Sequence, residues 1–550
     1  EVMKEPARKE DKTKAKGRSP LRKFLEIEII PLTIYDYIFI SLFVFTALWF
    51  LVNLDGGLLR DEARFAITGY YIINKGILLD LGISYNPPLV KYMIGLSQLL
   101  GGVNSFSIRL PSALLGLGVL ALTYLIGRKL WSGIAGLIAA FILVNSRGFY
   151  QYAVMAYLDM GLAFFAIATV AVYVFASRPS VKYPLLGVTS GLMMCSKYTG
   201  FYLLVVVAAF TIYDAYKEGK MRYFLYFAFS FLLTVGAVLA PYLMHYEEYL
   251  GMLSMATTEY KRGATKVYVY IDWFLNDWVR YGPQFLIGLI AAIVYYVFSR
   301  NPDRRFLALA CIVFFAGVSL FQRHYRFILP DLPYLALFFS GAVYEGFKWV
   351  ERKLSKRQLN GGEGILTFGE ELPSRNFMIK AIAIILILIV VFTPMINFSK
   401  LGRPINVDSG TDKAAQAILN YVNSREAHRT VVLTQSLPNL LYYLSADPHL
   451  YISINPRTYY TSIHLDGKVI HLYWIGQDPE IDGRALRLLK KNKVHIVIIH
   501  SLTVLQSSEF GQAFLRELAP KIGKESVYRL TGNVVRIYYI EGVVETEGEE

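Results

Sequence analysis

The sequence predicts a polytopic α-helical membrane protein of eleven transmembrane helices with interfacial helices on its outer side. A C-terminal soluble α/β domain follows. Three observations carry this reading. Of the 550 residues, 55% are hydrophobic and only 18% are charged, against about 25% charged in an ordinary soluble chain. The apolar residues come in runs of roughly 20, the length at which a helix crosses a ~30 Å hydrocarbon layer. From residue 399 onward charge rises and the apolar runs shrink to strand length. A cytosolic enzyme, a disordered chain and a collagen-like or coiled-coil chain are excluded on composition. The net charge of +14 is read as membrane topology, not as a nucleic-acid partner, because Lys and Arg gather on the cytoplasmic side.

Residues 1–35 form a basic cytoplasmic tail, with nine Lys or Arg against four Asp or Glu before residue 24. No cleavable signal is evident, so the first apolar span is read as a permanent anchor. Spans are expected at 36–53, 108–127, 132–147, 159–177, 184–196, 199–216, 223–246, 281–299, 306–321, 326–348 and 378–398. With the N-terminus inside, every inner connection is basic. They carry Arg128-Lys129, then Arg178 and Lys182, then Lys217, Lys220 and Arg222. Arg300, Arg304 and Arg305 follow, and finally Arg352, Lys353, Lys356 and Arg357. The expected location is the plasma membrane with the C-terminal domain outside. Residues 87–101 are apolar but short and contain Lys91. If they crossed, every later basic cluster would face outward, so they are laid flat on the outer surface, as are the amphipathic residues 62–76. Forty Tyr and six Trp suit the two interfaces. Cys195 and Cys311 lie within apolar runs and read as small buried hydrophobes.

The transmembrane region is therefore 36–398, with a first outer loop at 54–107 and a polar inner loop at 351–376. Residues 399–550 read as an extracytoplasmic α/β domain. Helices are expected there at 412–424, 483–491 and 508–521, and strands at 430–434, 468–474, 493–500 and 534–540.

Two groups of residues point to chemistry. Outer-face acids are the first: Asp61-Glu62 after the first span, Asp80, and Asp159 at the outer end of the fourth. Each also has a plain reading, since acids suit a helix's first turn and Asp is a favoured N-cap. Outer-face cations are the second: Lys91, Arg109, Lys197, Arg280, Arg323, His324 and Arg326. Any one of them alone reads as a snorkelling anchor. Together, cations suit a lipid phosphate, and a carboxylate suits proton abstraction from an incoming nucleophile. Pro87-Pro88 set a rigid start to the flat helix.

Asp61-Glu62-Ala63-Arg64-Phe65, Asn86-Pro87-Pro88-Leu89, Arg109-Leu110-Pro111-Ser112-Ala113, Leu158-Asp159-Met160 and Arg326-Phe327-Ile328-Leu329-Pro330 follow one another along the chain. In this order the sequence resembles the GT-C glycosyltransferases of the dolichyl-phosphate-mannose–protein mannosyltransferase and lipid A aminoarabinose transferase family. The likeness is strongest over 36–200, weaker to about 350 and architectural beyond. It implies a GT-C fold, a polyprenyl- or dolichyl-phosphate-linked sugar donor, and a protein, glycan or lipid acceptor outside the membrane. It also implies Asp61 as general base with Glu62 as its partner, and Asp159 as a second acid of the site. Arg64 and Arg109, with Lys91, Lys197, His324 and Arg326, would serve the donor phosphate. Tyr85 and Asn86 would line the donor or acceptor pocket. The family's protein mannosyltransferases usually carry His, and its aminoarabinose transferases Lys, where this chain has Asn86, so a contact there differs.

A divalent metal, Mg or Mn, between Asp61, Asp159 and the phosphate stays open as a cofactor, since hard cations take carboxylate oxygens. The alternative functions are a transporter or lipid flippase, for which Asp331 is the main candidate acid, and a receptor whose outer domain binds a partner.

Overall fold

A computed structural model describes residues 32–55, 58, 60–76, 78, 86–247, 249–250, 269–276, 281–321, 325–359, 411–424, 429–435, 437–444, 450–454, 460–465, 468–475, 479–500, 505–506, 508–530, 533–541 and 543. The expected span 378–398 lies outside these residues, as do Asp80, Tyr85, Arg280, Arg323 and His324.

The chain is a multi-pass membrane protein. The helices are α1 (Ile34–Val52), α2 (Arg60–Lys75), α3 (Leu89–Gly101), α4 (Ser105–Leu130), α5 (Gly133–Asn145), α6 (Arg147–Ala153), α7 (Leu158–Phe175), α8 (Pro179–Ser196), α9 (Phe201–Lys217), α10 (Arg222–Leu243), α11 (Val269–Asn276), α12 (Pro283–Phe298), α13 (Pro302–Phe321) and α14 (Leu332–Leu359). Each of the first ten expected spans coincides with helix. Six of the described helices are long and apolar enough to cross a membrane, or up to seven if a bent pair is one span, against the ten expected spans that fall among the described residues. Three of the four shortfalls have a visible local cause. The expected span 132–147 is broken into α5 and α6, bent by 72°. Helix α12 has only 16 residues, and α13 opens on Asp303-Arg304-Arg305.

Helix α4 organises the bundle. Its 26 residues rise about 39 Å, so its two ends sit at opposite faces. Asn104 caps its start by accepting from the Ser107 amide at 2.8 Å. Near its finish, Arg128 pairs with Asp36 in the first turn of α1 at 2.8 Å. Helices α2 and α3 touch backbone to backbone. A Cβ on Gly69 would lie 2.1 Å from the Lys91 carbonyl oxygen, and one on Gly95 would lie 2.2 Å from that of Gly69. No larger residue fits that crossing.

The C-terminal region contains α15 (Thr411–Asn423), β1 (Arg429–Thr434), α16 (Leu437–Leu444), β2 (Leu450–Ile454), β3 (Tyr460–Leu465), β4 (Lys468–Trp474), α17 (Pro479–Lys490), β5 (Ile496–Ile499), α18 (Glu509–Leu518), β6 (Ile522–Leu530) and β7 (Asn533–Ile540). The strands form one sheet in the order β2-β3-β4-β1-β5-β7-β6. The central strands β4, β1 and β5 are parallel, and the flanking pairs are antiparallel. All three expected helices and all four expected strands are present. Strands β2, β3 and β6 and helix α16 were not expected, because their runs are short or carry charge (β6 reads IGKESVYRL).

Alternation along β1 sends Val432 to one face of the sheet and Val431 and Leu433 to the other. Val431 and Leu433 pack with Phe514 under α18. Val432 belongs to a cluster that also contains Leu437, Leu440 and Leu441 of α16, and Ala63, Phe65 and Ala66 of α2. Helix α16 packs directly on α2. The sheet is thus seated on the first loop of the bundle through a continuous apolar core.

Candidate active site

Asp61 and Glu62 occupy the first turn of α2, where the helix dipole favours acids. Adjacent residues on a helix point about 100° apart, and here the two carboxylates meet different fates. Glu62 is fully buried. Its two oxygens accept from Arg109 Nε at 2.8 Å and Arg109 Nη2 at 2.9 Å. Oε1 also accepts from the Ala156 amide at 2.9 Å. Arg109 further donates from Nη1 to the Leu54 carbonyl at 3.1 Å. This bidentate pair ties together the end of α1, the start of α2, the start of α4 and the segment just before α7.

Asp61 faces the other way, with 27% of its side chain exposed. Its Oδ2 accepts from Arg326 Nη1 at 3.0 Å, and Arg64 Nη1 lies 3.9 Å from Oδ1. Arg326 leans on the Tyr157 ring, 5.0 Å from its centroid, and its Nε lies 3.9 Å from Asp159 Oδ2. Asp159, in the first turn of α7, is buried and accepts from Lys197 Nζ at 2.5 Å. Lys197 also sits over the Phe327 ring, 3.9 Å from its centroid. Burial pulls the Lys197 ammonium down to about 8. Asp159 opposes that shift, and Arg326 adds to it.

Asp61, Arg64, Arg326, Asp159 and Lys197 thus form one linked cluster, open to solvent at Asp61. Glu62 and Arg109 form its buried floor. Arg109 therefore spends its guanidinium on Glu62 and Leu54. Lys91 is fully buried and turned elsewhere: its Nζ donates to the Asn86 carbonyl at 2.7 Å and to the Tyr242 hydroxyl at 3.0 Å. Asn86 is itself buried. Tyr85 and His324, both expected here, lie outside the described residues.

Three contributors escaped the sequence reading. Tyr157 and Phe327 sit beside residues already singled out, and only the fold makes their rings into beds for cations. Trp474, at the end of β4, lies under Arg64 with 4.8 Å between guanidinium carbon and ring centroid. Nothing in the sequence links positions 64 and 474.

The residues present do not suit the metal kept open above. Arg326 bridges Asp61 and Asp159, and Lys197 takes the other oxygen of Asp159. Two carboxylates already neutralised by two cations are a poor donor set for a hard divalent ion. Among the described residues no three His, Cys, Asp or Glu side chains converge. The transporter reading looked to Asp331, which is fully buried next to α14. The linked charges lie instead at helix ends, unlike the midplane sites of transporters.

Residues 85–245 match the family model described as dolichyl-phosphate-mannose-protein mannosyltransferase. Against curated proteins the chain finds no match. Among solved structures it is similar to ArnT from Cupriavidus metallidurans bound to undecaprenyl phosphate. The identity is 15% and the TM-score 0.58, with 92% of this chain and 99% of that one covered. It is also similar to the arabinofuranosyltransferase AftD from Mycobacteria, at 12% identity and a TM-score of 0.52, over 94% of this chain and 40% of that one. The expected GT-C fold is borne out, and the family resemblance read from the motifs is met by the match over 85–245.

Proposed function

We propose that the chain is a membrane glycosyltransferase. It moves a sugar, mannose or a related hexose, from a polyprenyl- or dolichyl-phosphate carrier to an acceptor hydroxyl on a protein, glycan or lipid. The cluster faces the outside of the plasma membrane, the N-terminus is cytoplasmic, and residues 399–550 form an extracytoplasmic domain. The observation that carries this reading is the pairing of one accessible carboxylate, Asp61, with a group of cations at a helix end. It is joined by the family match and by the likeness to a structure bound to undecaprenyl phosphate.

Asp61 takes the proton of the acceptor hydroxyl. The acceptor oxygen bonds to the anomeric carbon from the face opposite the phosphate. The bond from that carbon to the phosphate oxygen breaks, and its electron pair leaves with the polyprenyl phosphate. The anomeric configuration inverts. Arg64 and Arg326 stabilise the charge growing on the leaving phosphate. Asp159 holds Arg326 at its station, and Lys197 in turn holds Asp159. Glu62 and Arg109 act below, as the pair that sets the direction of α2.

The test is turnover of Asp61→Asn with a polyprenyl-phosphate sugar in detergent. A general base contributes about 10²–10⁴-fold, so turnover falls by that range while thermal unfolding stays near that of the parent chain. Near-normal turnover in a folded variant would remove Asp61 from the base role.

A further inference from the structure

The site is completed by the soluble domain. Strands β4, β1 and β5 are parallel, and their carboxyl ends lie on one edge of the sheet. In open α/β sheets that edge is where ligands and partners are met. Here it is turned to the start of α2. Trp474 ends β4, and α16 leaves the same edge directly after β1 to pack on α2.

The indole is held firmly from behind. Its Nε1 donates to the Gln435 carbonyl at 3.0 Å. Gln435 is itself pinned at both ends. Its amide donates to the Ile498 carbonyl at 3.3 Å, and its side-chain oxygen accepts from the His500 amide at 2.8 Å. All three parallel strand ends therefore converge beneath one ring. Trp474 is 2% exposed and Arg64, above it, 6%. An arginine over an indole within about 6 Å is held by the ring quadrupole, and more strongly when water is excluded.

We propose that Trp474 is a positioning residue for the transfer reaction. It holds the Arg64 guanidinium over its ring and out of water beside Asp61, so that the cation is set before the donor phosphate arrives. A planar guanidinium without this support samples many rotamers, and ordering it on binding costs affinity. The soluble domain then supplies part of the site's geometry without touching the substrate. This inference rests on the proposed function above, because it acts through Arg64 on the donor.

The experiment is a double-mutant cycle on the full chain in nanodiscs, reading KM for a polyprenyl-phosphate sugar, kcat and thermal unfolding. Trp474→Leu keeps apolar bulk and removes the π face; Trp474→Phe keeps a π face. KM for the donor is expected to rise roughly tenfold in Trp474→Leu, with kcat changing less, and to recover most of the way in Trp474→Phe. In an Arg64→Ala background, Trp474→Leu is expected to add almost nothing. If the two substitutions multiply, or if Trp474→Leu alone leaves KM unchanged, Trp474 is only a packing residue and the inference falls. A fall in thermal stability shared by Leu and Phe variants, with equal KM in both, also overturns it. If Arg64→Ala by itself leaves turnover and KM unchanged, it is the reading of the site that fails.

Discussion

The two ends of α4 carry the same device with different outcomes. At one end Arg128 pairs with Asp36, which also accepts from the Tyr124 hydroxyl at 2.7 Å and from the Thr33 amide and hydroxyl at 2.5 and 2.6 Å. Nearby, Arg304 donates to the Leu130 carbonyl and to Glu345. At the other end Arg109 pairs with Glu62, more deeply enclosed. Both are clasps between helices. Each end also has an accessible acid: at the first Glu345 meets Arg304, whereas at the second Asp61 is held by a cation it shares with the buried Asp159. Under the proposed function, the end where an open carboxylate and a buried one share a cation is the working end, and the other is a joint.

Glu62→Ala and Asp36→Ala are expected to separate the two ends most widely. Removing one member of a buried pair strands the other and costs about 3–5 kcal/mol. Thermal unfolding is expected to drop for both variants. In the molecules that remain folded, Asp36→Ala keeps turnover, while Glu62→Ala loses most of it, because α2 then no longer aims Asp61. Equal activity in the two would mean that the ends do not differ in function.

A pH profile sharpens the contrast next. Burial leaves Lys197 titrating at about 8. Its charged form is the one that pairs with Asp159, so it is present below that pH and lost as pH rises through it. Turnover is expected to decline on the alkaline side of about 8. Lys197→Arg, whose guanidinium stays charged, is expected to move that limb upward. A limb that does not move in the Arg variant assigns the decline to another group. The smallest expected effect is Tyr124→Phe at the far end. It removes one of several bonds to Asp36 and costs about 1–2 kcal/mol in thermal unfolding, with no change in the pH limb.

Much of the bundle is legible in the sequence because helices obey local rules. Apolar runs, capping residues and basic connections place the helices near 36–53, 159–177 and 223–246 within a few residues. Residues 132–147 show the limit. Nothing in their hydropathy announces the break at Ser146, where the chain turns so that α6 lies against the start of α7. In the soluble domain, the central strands are legible from β-branched runs such as RTVVLT, but the edge strands are not. Their alternation is short, and only pairing with neighbours makes them strands.

A membrane bundle with a soluble α/β domain can be read from the chain alone, and so can the interest of Asp61, Glu62, Arg109, Asp159 and Arg326. Local composition and motif order suffice for that. Packing fixes which acid is open and which is closed, turns Lys91 away to Tyr242 and brings Trp474 in. The partners involved are 47, 94 and 265 residues apart in the chain. Two neighbouring carboxylates on one helical turn look alike in a sequence. They differ only once distant helices bring an arginine and a backbone amide to one of them and leave the other beside a shared cation, facing solvent.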